Sequence, residues 1–387
     1  MQQGKIWTTE FIVMSCSNFF QFIAQYIMVA ALPIFIMEAL SGGDLEAGLA
    51  MTFFQIGTVC CRPLAGRWID KVNKRKLMLG TTLAFFLVMA GFNFVTTLTG
   101  VLFLRLLHGI IFAMGTTAAS TLAALILPVS CKGEGIGYFA VSTNLAMVVG
   151  PLVGLIFIHQ WGSGALFLFL TFLAAMTIVV SNYKKLDDAI ILPSKTGKSG
   201  WKLQDFIETR SLPMAFLGGL VFFAYGGILT FIPLYAKSLG LDTGISLFFM
   251  VFALIIVVSR PFVGRLFDRK GSDFTVYPGF VFFIAGLFLF SSMQTMTDLL
   301  ISAGVLGLGF GALSPAFQTL AIQRAKAERA GVATATYFWS LDISVGLAAV
   351  LLSMVSGRWG YSFMYGIVCS GVVCLAMCCY FFLRKRK

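Results

Sequence analysis

The sequence predicts an all-α polytopic membrane protein, with twelve transmembrane helices in two pseudo-symmetric six-helix bundles. Three observations predict it. Of 387 residues, 58% are hydrophobic and only 11% charged, against about 25% charged in a soluble domain. Sixteen acids and 28 bases cannot cover a water-facing surface of this size. That excludes a soluble enzyme, a disordered chain and a disulfide-rich secreted domain. Second, the apolar residues fall into runs long enough to cross a bilayer, which takes about 20 residues. Third, the two halves of the chain repeat one another.

Polar punctuation divides the apolar runs. Spans are expected near 11–37, 48–68, 77–96, 100–127, 136–158, 164–182, 212–236, 244–266, 274–293, 299–321, 332–356 and 362–383. Gly and Pro inside them are no objection, because transmembrane helices tolerate both. The first run is too long for the apolar core of a cleavable signal peptide and has little positive charge before it, so it reads as a span. Between the sixth and seventh spans, residues 183–211 are polar and basic and hold Pro193, Ser194, Gly197, Ser199 and Gly200, the composition of a linker. Its end, 201–208, reads as a short interfacial helix. The expected domains are therefore a bundle over 1–182, a linker over 183–211 and a bundle over 212–387.

Charge sets the orientation. With the N-terminus inside, the inner segments hold Lys71, Lys74, Arg75 and Lys76; Lys184, Lys185, Lys195, Lys198 and Lys202; Arg269 and Lys270; Arg324, Lys326 and Arg329; and the tail from Arg384 to Lys387. The outer side has Lys237 and Arg358, with Glu38, Asp44, Glu46, Asp242 and Asp298. Basic loops stay in the cytoplasm, so both termini are expected there, in a plasma-membrane protein. The net charge of +12 then marks a membrane face, and no nucleic-acid partner is expected. The eight cysteines lack zinc-ligand spacing with histidines and read as small hydrophobes; no metal site is expected.

The repeat is clearest at residues 62–71 and 260–269, which share Arg, Pro, Gly, Arg and Asp in register and end in Lys and Arg. Residues 32–35, Leu-Pro-Ile-Phe, match 232–235, Ile-Pro-Leu-Tyr, and Gly162 and Gly360 each follow a Trp. A chain duplicated with parallel halves suits a central site between two bundles.

Three motifs carry chemistry. After the second span stand Gly66, Asp70, Lys71, Asn73, Lys74 and Arg75, and after the eighth Gly264, Asp268, Arg269 and Gly271. Glycine permits close helix approach, and the acids are placed to meet a helix N-terminus. The fourth span holds Arg105 and His108, three residues apart and so on one face. Arginine in hydrocarbon must meet a partner or a water-filled cavity, and histidine titrates near neutral pH. The fifth span holds Gly137, Ala146, Gly150, Pro151 and Gly154.

On these motifs and the twelve spans, the whole chain resembles the major facilitator superfamily, and within it the twelve-span drug:proton antiporter group. The resemblance implies that Gly66, Asp70, Lys71 and Arg75, with Gly264, Asp268 and Arg269, and Gly150, Pro151 and Gly154 of the fifth span, gate the conformational change. Asn73 stands where the family has Gly, and a left-handed turn residue is expected there. His108 replaces the family's Gln. The Gly150, Pro151, Gly154 motif is associated with export. A cavity is implied between spans 1, 4, 7 and 10, with Asn18, Gln21, Gln25, Gln55, Asn144, Tyr225, Gln318, Tyr337 and Trp339 as candidates for its lining.

Asp342 lies mid-way along the eleventh span, and a carboxylate there can take and release a proton as a cavity alternates. Many relatives carry an acid in the first span, where this chain has Asn18, Gln21 and Gln25. Proton coupling is therefore expected at Asp342 with Arg105 and His108. No phosphate-binding Gly-x-x-x-x-Gly-Lys loop, no His-Glu-x-x-His and no Gly-x-Ser-x-Gly occurs, so neither direct ATP drive nor hydrolase chemistry is expected. The expected function is a proton-coupled antiporter, not an enzyme, exporting small amphipathic or drug-like compounds by alternating access. It uses the proton gradient and no cofactor, and it works as a monomer with small-molecule substrate, protons and lipid bilayer as its partners. The alternatives are a carrier of a specific metabolite, sugar or metallophore, and a non-transporting membrane sensor.

Overall fold

A computed structural model describes residues 6–42, 44–183 and 205–385. Among them every element is helical. The helices are α1 Thr9–Ala39, α2 Asp44–Lys71, α3 Lys74–Gly91, α4 Leu98–Ile126, α5 132–161, α6 163–182, α7 Leu212–Ser238, α8 Ile245–Lys270, α9 Asp273–Ser291, α10 Met296–Arg324, α11 330–359 and α12 361–385. Nine stretches of the described residues are long and apolar enough to cross a membrane, and two of these, of 53 and 58 residues, each hold two spans. They break at Gly162 (φ 78°, ψ 177°) and Gly360 (φ 81°, ψ 169°), a conformation open to glycine and closed to most side chains. The remaining helix is α2, which carries Arg62, Arg67, Asp70 and Lys71 over its last turns.

Helices outrun the apolar runs because polar caps add turns at their ends. Thr8 accepts from the Phe11 N–H at 3.2 Å, and Thr97 from the Gly100 N–H at 3.2 Å. Thr295 and Asp298 form a reciprocal capping box on α10, two orphan donors satisfied at once. Asn73 corrects an expectation. Its φ is −58°, not left-handed, and its side chain caps α3 by accepting from the Arg75 and Lys76 N–H groups, both at 3.1 Å. Asparagine does here what glycine cannot, because capping needs a side-chain oxygen. Its counterpart Gly271 does take the left-handed turn, at φ 92°. The expected interfacial helix falls partly outside the described residues, as do the lysines of the linker; residues 205–211 form turns that lead into α7.

The repeat runs through the backbone. The same 198 residues separate Arg62 from Arg260, the start of α4 at Leu98 from that of α10 at Met296, Lys132 from Ala330, and Gly162 from Gly360. The chain forms two compact units. Unit 1 is Met1–Pro128, Ser142–Glu208 and Lys326–Thr336; unit 2 is Val129–Val141, Thr209–Ala325 and Tyr337–Lys387. They differ from the sequence halves in that each holds the first turns of a helix whose remainder lies in the other.

In unit 1, Ile27, Met28 and Leu32 of α1 pack in one core with Phe85, Phe92 and Phe167. The α2–α4 crossing is close: a β-carbon at Gly109 would lie 2.1 Å from the Phe54 carbonyl oxygen. In unit 2, a β-carbon at Gly309 of α10 would lie 2.4 Å from the Phe283 nitrogen of α9. These glycines let backbones approach where lipid offers no hydrophobic drive for association.

Candidate functional site

Unit 1 holds a cluster built on α4. Arg105 and His108 are both 0% exposed. The guanidinium donates from Nε to the Ala50 carbonyl at 3.2 Å and from Nη1 to Gln25 Oε1 at 3.2 Å. Nη2 reaches Met51 Sδ at 3.4 Å, and the group lies 4.5 Å from the Phe54 ring centroid. Nη1 also meets His108 Nδ1 at 3.1 Å. Arginine has no acceptor, so Nδ1 must accept, and the imidazole is neutral with its proton on Nε2. That nitrogen is buried and has no hydrogen-bond partner among the described residues; the rings of Phe54 and Phe85 lie 5.1 and 5.8 Å from the imidazole. Arg105, His108 and Gln25, expected separately, are thus one cluster.

A second arrangement occurs twice. In unit 1, Asp70 at the end of α2 accepts from the Gly331 N–H at 2.8 Å and the Val332 N–H at 3.0 Å, capping α11. In unit 2, Asp268 at the end of α8 accepts from Gly133 at 2.9 Å and Glu134 at 2.8 Å, capping α5. The four partners are themselves related by the 198-residue repeat. The glycines beside the acids allow the approach: a β-carbon at Gly66 would lie 2.5 Å from Ala335 Cβ, and one at Gly264 2.5 Å from Glu134 Cα. A carboxylate on a helix N-terminus satisfies orphan donors and meets the positive end of the dipole. The charges bearing on Asp70 are Lys74, itself buried, and Arg329. Of the bases expected there, Lys71 is half-buried and Arg75 exposed, as is Arg269 in the second copy.

The other candidates scatter within the units. On α1, Asn18 donates to Ser142 Oγ and Thr143 Oγ1 of α5, both at 2.9 Å, and Gln21 turns back to Ser17 of its own helix. Both are buried, as is Asn144; Gln55 is half-buried. Gly150 and Gly154 admit α1: β-carbons there would lie 2.5 Å from Tyr26 Cβ and 2.9 Å from the Ile27 carbonyl oxygen. The helix continues through Pro151. In unit 2, Tyr225 stacks on Phe310 at 4.1 Å. Tyr337 donates to the Ser314 carbonyl at 2.8 Å, and Gln318 is buried. Trp339 and Asp342 are half-buried on α11. The repeat sets Asp342 opposite Asn144 in sequence, so the polar position recurs while the charge does not.

Sequence reasoning missed four charged residues. Arg62 and Arg260 are 3% and 2% exposed, and their signal was present as the first conserved letter of the repeat. Glu134 pairs with Arg265 at 2.8 Å. Glu208 pairs with Arg329 and donates its backbone N–H to Thr336 Oγ1 at 3.0 Å. Neither acid has a local sequence signal, because each is matched by a residue more than 100 positions away.

A sequence profile described as Major Facilitator Superfamily matches residues 14–349. The chain belongs to the Major Facilitator Superfamily. It is therefore a multi-pass membrane transporter of small molecules rather than an enzyme. Relatives agree over nearly full length. The uncharacterized MFS-type transporter MJ1560 of Methanocaldococcus jannaschii is 25% identical, with 93% of this chain and 92% of that one covered. The uncharacterized MFS-type transporter YhhS of Escherichia coli is 26% identical over 95% and 91%. The fold matches the crystal structure of the human organic anion transporter MFSD10 with a TM-score of 0.81 at 13% identity, covering 96% and 98% of the two chains.

Proposed function

We propose that this superfamily member is a proton-coupled antiporter that exports small amphipathic compounds by alternating access. It acts as a monomer in the plasma membrane with both termini in the cytoplasm. The observation that carries the alternating-access reading is the reciprocal pair of caps, Asp70 on α11 and Asp268 on α5. Each is a polar contact of two hydrogen bonds, so it can break and re-form at a cost of about 0.5–2 kcal/mol. Each capped helix also carries a polar residue farther along: Asp342 on α11 and Asn144 on α5. Asp342 follows Gly331 by eleven residues, roughly 16 Å along a helix. Proton or substrate binding at Asp342 falls on the same helix whose N-terminus Asp70 caps.

In this mechanism Asp342 carries the coupled proton. Arg105 supplies fixed positive charge, and His108, as a neutral acceptor, positions it. Gly150, Pro151 and Gly154 favour export through the resemblance of that motif. A second reading rests on Arg105, whose hydrogen-bond partners are a carbonyl, an amide, an imidazole and a thioether, none a carboxylate. An uncompensated guanidinium suits an anionic substrate, and the fold relative MFSD10 is titled an organic anion transporter.

Overexpression in a susceptible bacterium, followed by a growth-inhibition panel of amphipathic cations and organic anions, separates the readings. Resistance to cations that collapses with a protonophore supports proton-coupled drug export. Resistance confined to anions supports the second reading. Efflux indifferent to the protonophore contradicts the coupling.

A further inference from the structure

The 198-residue repeat makes Arg62 and Arg260 a controlled comparison. In unit 1, Arg62 donates from Nη1 to Thr116 Oγ1 at 2.8 Å, Thr117 Oγ1 at 3.0 Å and the Ala113 carbonyl at 3.3 Å. The matching positions in unit 2 are Ser314 and Pro315. Proline has no hydroxyl, and the Ser314 carbonyl is already taken by Tyr337. Arg260 Nη1 instead donates to the Gly137 carbonyl at 3.3 Å, and Nε has no hydrogen-bond partner among the described residues. Ser314 keeps a hydroxyl at the first position, but where unit 1 places the Thr117 hydroxyl, unit 2 has Pro315 and a small cleft lined by Arg260 with Gly133, Gly137, Ala312, Pro315 and Thr319.

We propose that this cleft binds a small monovalent anion, chloride being the abundant one, as a resident structural ion distinct from the transported compound. Arg260 has one carbonyl acceptor where Arg62 has two hydroxyls and a carbonyl, so an occupant that brings charge along with an acceptor compensates it most directly. Water supplies acceptors without charge. The titratable group bearing on Arg260 is Tyr337. The nearby acids are committed elsewhere: Asp268 to the Gly133 and Glu134 N–H groups, and Glu134 to Arg265. Thr319 donates its hydroxyl to the Pro315 carbonyl, so the donors left for the anion are those of Arg260, its buried Nε–H among them. The site needs few contacts and little room, which the glycines and Ala312 leave.

Thermal unfolding of the purified full-length protein, in sodium chloride against sodium gluconate at equal ionic strength, tests the assignment. The midpoint is expected to rise by about 3 °C in chloride and to saturate with concentration. Pro315→Thr restores the hydroxyl that Arg62 enjoys and is expected to fold and to lose most of the chloride shift; Arg260→Gln, which removes the charge, is expected to lose it too. A midpoint equal in the two salts overturns the proposal and leaves water as the occupant. A Pro315→Thr variant with the full wild-type shift overturns it as well, since the anion then binds elsewhere.

Discussion

His108 acts through the lone pair of one nitrogen. Arg105 can only donate, so the imidazole that faces it at 3.1 Å must be neutral on that side. A protonated ring would turn the acceptor into a second donor and set two cations together in a fully buried place. His108→Gln keeps an acceptor on the same turn and is expected to retain most transport. His108→Leu leaves the guanidinium short of an acceptor and is expected to cost about 1–3 kcal/mol, read as a fall in the thermal midpoint of the purified protein. Equal midpoints for the two variants contradict the acceptor role. The three-residue spacing of Arg105 and His108 made their contact legible in sequence, because helical geometry is local. Gln25 and the Ala50 carbonyl were not legible as its partners, since they reach Arg105 from α1 and α2 across 80 and 55 positions.

At the scale of the helix, the proposed mechanism rests on the capped ends of α5 and α11. Asp70→Ala and Asp268→Ala each remove two hydrogen bonds from a helix N-terminus. Each is expected to cost about 0.5–2 kcal/mol, while Asp→Asn at either position, which keeps a side-chain oxygen, is expected to cost less. The measurement is the unfolding midpoint beside the transport rate; an Ala variant unchanged in both sinks the gating role. The acids, their glycines and the meeting with a helix N-terminus were legible from the motif and its second copy. Their partners at Gly331 and Gly133 were not, because a helix N-terminus offers backbone donors and these have no side-chain letter. Asn73 shows the reverse case. The motif suggested a left-handed turn, and the side chain's own capping power won.

At the scale of the whole chain, composition and apolar periodicity made the twelve spans legible. The repeat paired Gly162 with Gly360 between expected spans, and the breaks fall on these two residues because only glycine takes φ near +80° without strain. The exchange of the first turns of α5 and α11 between compact units was not legible. Apolar runs mark which segments enter lipid and carry no record of which neighbour a helix end packs against. Within that frame Asp342 is the residue on which the proposed coupling turns. Proteoliposomes holding the wild type or Asp342→Asn, given a compound from the resistance panel and an imposed pH gradient, test it most directly. The proposed coupling predicts gradient-driven uphill transport by the wild type alone, with substrate exchange at zero gradient retained by both. Full gradient-driven transport by Asp342→Asn would contradict it.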